Sequence, residues 1–278
     1  MADADSVPDR YALVGHPVAH SRSPLIHQLF ARQTGQRMTY ELIDAEPAQF
    51  ETAARGFQAA GGRGMNVTVP HKEAAFALST THGEAAAVAR AVNTLTFTAG
   101  AIRGDNTDGI GFMRDVTVNH DCEVAGKRVL LLGAGGATRG LLGPLLGAKP
   151  ASILLANRTL ERAEALRRQF AEHGNIDVCS FTDLADRGAF DILVNATSAG
   201  LHGQQPPFPA SLVTARSFCY DLAYSLNVTP FVAWATAQRA GRAVQGWGML
   251  IEQAAESFAI WRGVRPDTAR IRAQLVVR

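Results

Sequence analysis

The chain has 278 residues, of which 47% are hydrophobic, and its 27 basic and 25 acidic residues leave a net charge of +2. Because the charges are mixed along the chain, the composition excludes the basic surface of a typical nucleic-acid-binding protein, and the length predicts two domains. Without an apolar run of about 18 residues or an apolar N-terminal core, neither a membrane span nor a secretion signal is expected, and we predict a cytoplasmic protein.

The first hundred residues alternate between short apolar runs and helical stretches. Strands are predicted at YALVGHP, MTYELID and GMNVTVP, and helices from Ser23, near Ala48 to Ala60, from Pro70 and around Gly83 to Ala91. TLTFTAGAIRGDN predicts a hairpin that turns at Ala99-Gly100. We therefore expect an α/β domain over residues 1–108, completed by residues 246–278 with a helix from Met249 to Gly263.

The segment HSRSP precedes the first predicted helix, whose Leu25, Ile26, Leu29 and Phe30 form an apolar stripe. Pro24 suits the first helical position, so Ser23 is predicted to be the N-cap. Capping leaves the second hydroxyl, at Ser21, unexplained. Two hydroxyls beside the electropositive start of a helix can bind a carboxylate.

From Lys127 the pattern changes to continuous apolar runs of strand length, RVLLLG, ASILLANR, FDILVNAT and SFCYDLAY, separated by helical stretches or loops. Strands that are buried on both faces have this composition. We therefore predict a doubly wound parallel sheet of the Rossmann type over residues 109–245.

The segment GAGGAT joins the first of these strands to a helix. It places Gly133 and Gly135 in a GxGxxG pattern, although Thr138 occupies the third glycine position. The glycines permit a tight turn and close approach of a phosphate, and the helix start, kept slim by Gly136 and Ala137, can hold a pyrophosphate. The alternative is a turn that only connects the two elements.

About 20 residues after such a turn, NAD-binding folds carry a carboxylate for the ribose 2′-hydroxyl. This chain has Asn157-Arg158-Thr159 there, with Arg162 one turn further on. A guanidinium binds a 2′-phosphate, which an aspartate would repel, so NADP is predicted rather than NAD. The alternative is a solvated arginine at a helix start.

The chain resembles the shikimate dehydrogenases in motifs that span nearly its whole length: VGHPVAHSRSP, GMNVTVPHK, AVNT, GDNTDGIGF, GAGGATRG, NRT, NATSAG, YDLAY and GWGMLIEQAA. Their order and spacing are similar to the family's. The sequence departs from it at His16, where many relatives have asparagine, and at His71, where phenylalanine also occurs. The resemblance implies the reversible, NADPH-dependent reduction of 3-dehydroshikimate to shikimate, in the biosynthesis of aromatic amino acids.

The resemblance also implies residue roles. Ser21 and Ser23 would hold the substrate carboxylate, and Lys72 and Asp108 would face the carbon that changes oxidation state. The ring hydroxyls would be bound by Thr68, Asn93 and Gln253, with Asn66 and Tyr224 lining the same pocket. The cofactor would be surrounded by Gly133, Ala134, Gly135, Gly136, Ala137, Asn157, Arg158, Thr159, Arg162, Thr197, Leu222, Gly246 and Met249, and, by family position alone, Glu84.

Lysine and aspartate at the reacting centre suit ketone reduction, because hydride addition builds negative charge on oxygen. Lys72 could transfer the proton or mainly orient and polarise the substrate, and the sequence leaves both open. Taken alone, Lys72 and Asp108 would read as a surface lysine and a helix cap.

No metal site is predicted. His16, His20 and His71 lack a carboxylate partner at ligand spacing, so we expect solvated or loop histidines. The cysteines Cys122, Cys179 and Cys219 are expected to be buried free thiols.

Two other functions remain open at this point. The first is a related dehydrogenase that also accepts quinate or NAD. The second is a dinucleotide-binding regulatory module without catalysis, against which the intact Lys72, Asp108 and serine pair argue. Only a small-molecule substrate is expected as partner, without nucleic acid or membrane, and the protein could be a monomer or a homodimer.

Overall fold

A computed structural model describes residues 7–197 and 208–276, and the chain folds into two compact units. The first unit comprises the described residues up to Thr107 together with those from Ile251 onward, and the second runs from Asp108 to Leu250. The predicted α/β class with two lobes is confirmed. The domain boundaries predicted from the sequence stay a prediction.

The first unit contains one mixed sheet with helices. Its elements are β1 (Asp9–Gly15), α1 (Ser23–Thr34), β2 (Met38–Asp44), α2 (Phe50–Ala59), β3 (Gly62–Val67), α3 (Lys72–Leu78), β4 (Thr81–His82), α4 (Glu84–Ala89), β5 (Thr94–Thr98) and β6 (Ala101–Asp105). The strand order is β2-β1-β3-β5-β6-β4. β1 pairs in parallel with β2 and β3, whereas β5 is antiparallel to both β3 and β6. The predicted hairpin at Ala99-Gly100 is the β5–β6 turn, in which Gly100 has φ +82°.

The second unit contains a sheet in which every strand is parallel. Its elements are α5 (Asp108–Arg114), β7 (Arg128–Leu132), α6 (Gly136–Gly147), β8 (Ser152–Ala156), α7 (Leu160–Gln169), β9 (Asp177–Cys179), β10 (Ile192–Asn195), β11 (Phe218–Asp221), α8 (Pro230–Ala237) and β12 (Arg242–Gln245). α9 (Trp247–Arg262) begins in this unit and ends in the first, and α10 (Thr268–Val276) follows.

The strand order of the second sheet, β12-β11-β10-β7-β8-β9, is that of a dinucleotide-binding fold. The chain proceeds from β7 through β8 to β9, then returns to the other side of β7 for β10. The order therefore reverses between β7 and β10, which are hydrogen-bonded neighbours. Ligands of open α/β sheets bind in the crevice outside the carboxyl ends of the strands at such a reversal.

The start of α1 differs from the sequence prediction. Ser23 is the first helical residue, and the N-cap is Arg22, which makes no side-chain cap hydrogen bond. The cap role passes to Ser21, whose Oγ accepts the Ser23 N–H at 3.2 Å. The reason is that Arg22 already has helical backbone angles, so the turn begins one residue earlier than predicted.

The predicted apolar stripe of α1 is also wrong in part. Leu25 is 39% exposed, whereas His27 is fully buried in the aromatic core of the first unit. The His27 ring stacks on Tyr40, with centroids 4.2 Å apart, and meets Phe30 edge-on. Burial lowers the pKa of His27 from 6.5 to about 3, which the neighbouring Asn66 only partly offsets. The ring is therefore neutral in the folded protein.

We expect the free energy of unfolding to fall by about 2 kcal/mol more between pH 7 and pH 5 in the wild type than in His27→Leu. The unfolded chain takes up a proton at His27 below pH 6.5, whereas the folded chain stays neutral down to about 3. This contribution to stability is thus present above pH 6.5 and lost progressively as the pH falls. Urea unfolding at both pH values measures the difference.

His173→Leu, at an exposed position of the second unit, is the control and should leave the pH difference in place. If the free energy of unfolding fell equally between pH 7 and pH 5 in the wild type and in His27→Leu, His27 would not be the cause of the fall.

Candidate functional site

One edge of the first sheet collects most of the predicted substrate-binding residues. β1 and β3 are parallel, so their carboxyl ends meet, and the Thr68 N–H donates to Val14 O at 2.9 Å. β5 runs the other way and therefore begins at this same edge, where Asn93 O accepts the Val67 N–H at 2.8 Å. Loops at this edge thus bring Thr68 and Asn93 close to the segment that follows β1.

The two serines after β1 lie together. The Ser21 hydroxyl donates to Ser23 Oγ at 3.2 Å, and Ser23 is 5% exposed. Both hydroxyls are at the first turn of α1, where the helix amides lack intrahelical partners and the helix dipole is positive. This arrangement can bind a carboxylate.

The side-chain amide of Asn93 has a fixed orientation. Its Oδ1 accepts the backbone N–H of Thr107 at 2.9 Å and the Thr94 hydroxyl at 2.9 Å. A backbone N–H can only donate, so the oxygen of Asn93 must face it and the amino group must point the other way. That amino group donates to Gln253 Oε1 at 3.2 Å. The same amino group donates to Thr107 Oγ1 at 2.9 Å. Because the oxygen of Gln253 faces Asn93, the orientations of the two side-chain amides are fixed together.

A buried polar network supports this amide. Asn66 Nδ2 donates to Asn93 O at 3.1 Å and to Ser257 Oγ at 2.9 Å, while Asn66 Oδ1 accepts from the Tyr40 hydroxyl at 2.8 Å. Thr94 Oγ1 lies 2.8 Å from Ser257 Oγ. Because its side-chain oxygen and nitrogen are both hydrogen-bonded within the protein, Asn66 holds the residues around it in place. Thr94, Thr107 and Ser257 are not among the residues predicted from the sequence.

Lys72 and Asp108 each begin a helix. Lys72 is half-buried at the start of α3, and its carbonyl accepts the Val92 N–H at 2.9 Å. Asp108 is 4% exposed, begins α5 and belongs to the second unit. Gly109, which follows it, lies so close to α6 that a Cβ there would approach Gly140 O to 2.3 Å. The start of α5 is therefore packed tightly against α6.

The glycine turn lies at the reversal point of the second sheet. Gly133 follows β7 with φ +104°, and a Cβ there would come within 3.0 Å of Ala196 O in the loop after β10. Only glycine fits this backbone and spacing. Thr138, at the third position of the glycine pattern, donates its hydroxyl to Gly133 O at 2.6 Å and so holds the turn. The substitution that breaks the pattern thus stabilises the turn.

The residues between β7 and α6 can receive a diphosphate. Gly135 is the N-cap of α6, is exposed and has open space where a Cβ would be. Gly136 and Ala137 follow as the first helical residues and are partly exposed. Their amides belong to the helix start, which lacks internal acceptors. The described residues therefore fit the pyrophosphate of a dinucleotide.

The loop after β8 lies beside this turn. Asn157 Oδ1 accepts the Ala134 N–H at 3.1 Å, and Asn157 Nδ2 donates to Thr159 O at 2.7 Å. Asn157 thus joins the glycine turn to the segment that carries Arg158, which is exposed, as are Thr159 and Arg162. An exposed guanidinium at this strand end can reach a 2′-phosphate.

The remaining predicted cofactor residues of the second unit follow β10, β11 and β12. The Thr197 hydroxyl donates to Asn195 Oδ1 at 2.7 Å, and the Leu222 N–H donates to Asn195 O at 2.9 Å. Gly246 follows β12, and a Cβ there would lie 2.4 Å from Leu222 O. Because all these strands are parallel, Thr197, Leu222 and Gly246 lie on the same edge as the glycine turn. Met249 lies in the first turn of α9.

Two further predicted residues, like Asp108, belong to a different unit from most of the residues predicted for the same role. Glu84 begins α4 in the first unit, whereas the other predicted cofactor residues belong to the second. Tyr224, predicted to line the substrate pocket, belongs to the second unit, where its ring lies 4.7 Å from that of Trp247.

The expectations for the histidines need correction. His16 does have a carboxylate partner, because its Nδ1 lies 2.6 Å from Asp44 Oδ1, and this contact lowers the pKa of Asp44. His71 is 2% exposed and not solvated; its Nε2 lies 2.8 Å from Ala45 O, and burial lowers its pKa. His20 is exposed, as expected.

Cys179 and Cys219 are buried thiols as predicted, and Cys122 is half-buried. Within residues 7–197 and 208–276, no group of three or more His, Cys, Asp or Glu residues is arranged to hold a metal ion. In the same ranges no helix has the length and apolar character needed to cross a membrane.

Three family matches cover most of the chain. Residues 13–95 match the shikimate dehydrogenase substrate binding domain, residues 117–235 match shikimate / quinate 5-dehydrogenase, and residues 246–276 match the shikimate 5′-dehydrogenase C-terminal domain. The first match includes the serine pair and Asn93, and the second includes the glycine turn and Arg158.

Relatives and solved structures agree with these matches. The chain is 51% identical over 267 residues to a shikimate dehydrogenase (NADP(+)) of Alkalilimnicola ehrlichii, covering 96% of this chain and 98% of the relative. It is 52% identical over 270 residues to that of Aromatoleum aromaticum, covering 96% of each. A Thermus thermophilus shikimate 5-dehydrogenase solved with NADP(H) and shikimate is 32% identical, with a TM-score of 0.84, over 95% of this chain and 97% of the other.

Proposed function

This chain belongs to the shikimate dehydrogenase family, and from that premise we propose how its own residues reduce 3-dehydroshikimate to shikimate. It is an NADP-dependent oxidoreductase of the shikimate pathway, and the reaction is reversible. The observation that carries the proposal is the fixed amide pair of Asn93 and Gln253, at the sheet edge that also carries Thr68. Amides of fixed orientation suit a ring with several hydroxyls.

We assign the two ends of the substrate to different elements. The hydroxyls of Ser21 and Ser23, at the start of α1, bind the carboxylate. Asn93 and Gln253 hydrogen-bond to ring hydroxyls, and Thr68 adds a hydroxyl beside them. Binding both ends orients the ring before the reaction, which lowers the entropic cost of reaching the transition state.

Bound NADPH would supply a hydride to the reacting carbon, and the ketone oxygen must gain a proton. Lys72 donates that proton as an ammonium and stabilises the negative charge that builds on the oxygen. Asp108 accepts a hydrogen bond from the adjacent ring hydroxyl. In the direction of alcohol oxidation the neutral lysine takes the proton back.

The experiment that tests the proposal follows NADPH oxidation by its absorbance with 3-dehydroshikimate as substrate. Shikimate and quinate are then supplied with NADP and with NAD in the oxidative direction. Turnover with 3-dehydroshikimate and NADPH is expected. Absence of turnover with all these pairs would leave a dinucleotide-binding module without catalysis, and faster turnover of quinate than of shikimate would change the substrate assignment.

We expect Asn93→Asp to lower kcat/KM for shikimate by about 10- to 30-fold while leaving the Kd of NADP unchanged. An aspartate oxygen can still accept the Thr107 N–H, but the amino group that donates to Gln253 and to the Thr107 hydroxyl is lost, and with it the orientation of the Gln253 amide. Steady-state kinetics and titration calorimetry with NADP measure the two effects. An equal loss of NADP affinity would instead indicate general damage to the protein.

We further propose a cytoplasmic enzyme whose partners are its small-molecule substrates. The near-neutral charge of +2 supports this, since it favours neither nucleic acid nor an anionic membrane surface.

A further inference from the structure

A buried series of hydrogen bonds in the second unit ends at the predicted cofactor residue Met249. The Tyr220 hydroxyl donates to Asp115 Oδ2 at 2.6 Å and accepts the Met249 N–H at 3.2 Å. Asp115 and Tyr220 are both fully buried. Asn119 Nδ2 donates to the other carboxylate oxygen at 2.8 Å. These hydrogen bonds therefore connect the helical turn that follows α5 to the first turn of α9.

The direction of each hydrogen bond in this series is fixed. Burial raises the pKa of Tyr220 well above its ordinary value, so the hydroxyl keeps its proton. Burial alone would raise the pKa of Asp115, but contacts with His120, Tyr220 and Asn119 outweigh it and lower the pKa, so the carboxylate is charged. A carboxylate can only accept, so Tyr220 must give it its single proton. The Tyr220 oxygen is then left to accept the Met249 N–H.

The carboxylate also lies directly against α9. A Cβ on Gly248 would come within 1.8 Å of Asp115 Oδ1, so only glycine allows this approach. Met249 is the third residue of α9, and amides of the first helical turn lack an acceptor within the helix. Tyr220 supplies that acceptor from β11, and the negative charge of Asp115 is favourable beside a helix N-terminus.

The position of this helix turn matters for the dinucleotide. In a doubly wound fold each half of the dinucleotide lies over one half of the sheet. The glycine turn and Arg158 follow β7 and β8, so the adenosine half belongs there. The nicotinamide half would then be held at the ends of β10, β11 and β12, where Leu222, Gly246 and Met249 are found.

We propose that Asp115 and Tyr220 are positioning residues that hold the first turn of α9 where it meets the nicotinamide half of the cofactor. The inference rests on the proposed function. Neither side chain needs to touch the cofactor, because both act through the backbone of Gly248 and Met249.

The test separates the two halves of the cofactor. In Tyr220→Phe the Kd of NADP should rise about five- to tenfold, whereas the Kd of adenosine 2′,5′-bisphosphate, which lacks the nicotinamide, should stay within about twofold of the wild type. The deuterium isotope effect on kcat/KM with NADPH labelled at the transferred position should increase, because misplacement slows hydride transfer relative to the binding steps. Asp115→Asn keeps the shape of the side chain and removes its charge. It should also raise the Kd of NADP, by a smaller factor than Tyr220→Phe does.

Ser217→Ala is the matched control. It removes another buried hydroxyl next to β11, one that donates to Phe190 O at 2.6 Å at the opposite end of the strand. It should leave both affinities unchanged. Equal losses for NADP and adenosine 2′,5′-bisphosphate in Tyr220→Phe, or an unchanged NADP affinity in both Tyr220→Phe and Asp115→Asn, would overturn the inference. A wild-type protein that bound neither ligand would overturn the proposed function, and the inference with it.

Discussion

Lys72→Met should lower kcat by about 10²- to 10⁴-fold in both directions while the Kd values of shikimate and NADP change only a few-fold. The methionine fills a similar volume, so α3 should still begin at this residue. What disappears is the group that gives the proton and stabilises the charge on oxygen. Steady-state kinetics together with calorimetric binding separates the loss of catalysis from a loss of binding.

Two further variants separate the possible roles of this lysine. Lys72→Arg keeps the positive charge but holds its proton too tightly to transfer it. If proton transfer is the essential role, its kcat should be as low as that of Lys72→Met, and if polarisation suffices, it should recover much of the activity. Asp108→Asn should lower kcat by less than Lys72→Met.

The exposed Lys149, replaced by methionine, is the control and should keep full activity. Unchanged turnover numbers in both Lys72→Met and Asp108→Asn would contradict the assignment of the reacting centre.

Arg158→Asp should change the ratio of kcat/KM for NADPH to that for NADH by about 10³-fold or more in favour of NADH. Loss of a charge-assisted hydrogen bond to the 2′-phosphate costs about 1.5–3 kcal/mol, and the new carboxylate repels the phosphate in addition. With NADH the same carboxylate can accept from the ribose 2′-hydroxyl. Initial rates with both cofactors at saturating 3-dehydroshikimate measure the ratio.

Arg167 provides the matched control, because it is an exposed arginine on α7 that pairs with Glu164 at 2.8 Å. Arg167→Asp should leave the cofactor ratio unchanged, since no role in binding the 2′-phosphate is assigned to it. A ratio that stays the same in Arg158→Asp would show that another residue recognises the 2′-phosphate.

Much of the second unit could be predicted from sequence because its central strands have the composition that is typical of buried strands. β7, β8, β10 and β11 are buried on both faces, so each is a continuous apolar run. The edge strands β9 and β12 were not predicted. β9 has only three residues and β12 has four, with polar residues at both ends of β12, so neither has a recognisable apolar run or alternation.

The candidate site was predicted where chemistry and local pattern coincide, as in the glycine turn and the loop with Arg158. The supporting residues could not be predicted in the same way. Ser257 hydrogen-bonds to Asn66 across 191 residues of sequence, and nothing local distinguishes it from other helical serines. Tyr220 and Asp115 are likewise paired across 105 residues. Such contacts depend on tertiary structure, which local periodicity does not encode.

The first unit is made of two segments that are separated in sequence by the second unit. This arrangement constrains the order in which the chain can fold during synthesis. Ser257, which completes the polar network around Asn66, leaves the ribosome only after the whole of the second unit has been made. The second unit is continuous in sequence and its contacts can close as it emerges, whereas Asn66 in β3 and Thr94 in β5 must wait for Ser257. The domain that is translated first is therefore completed last.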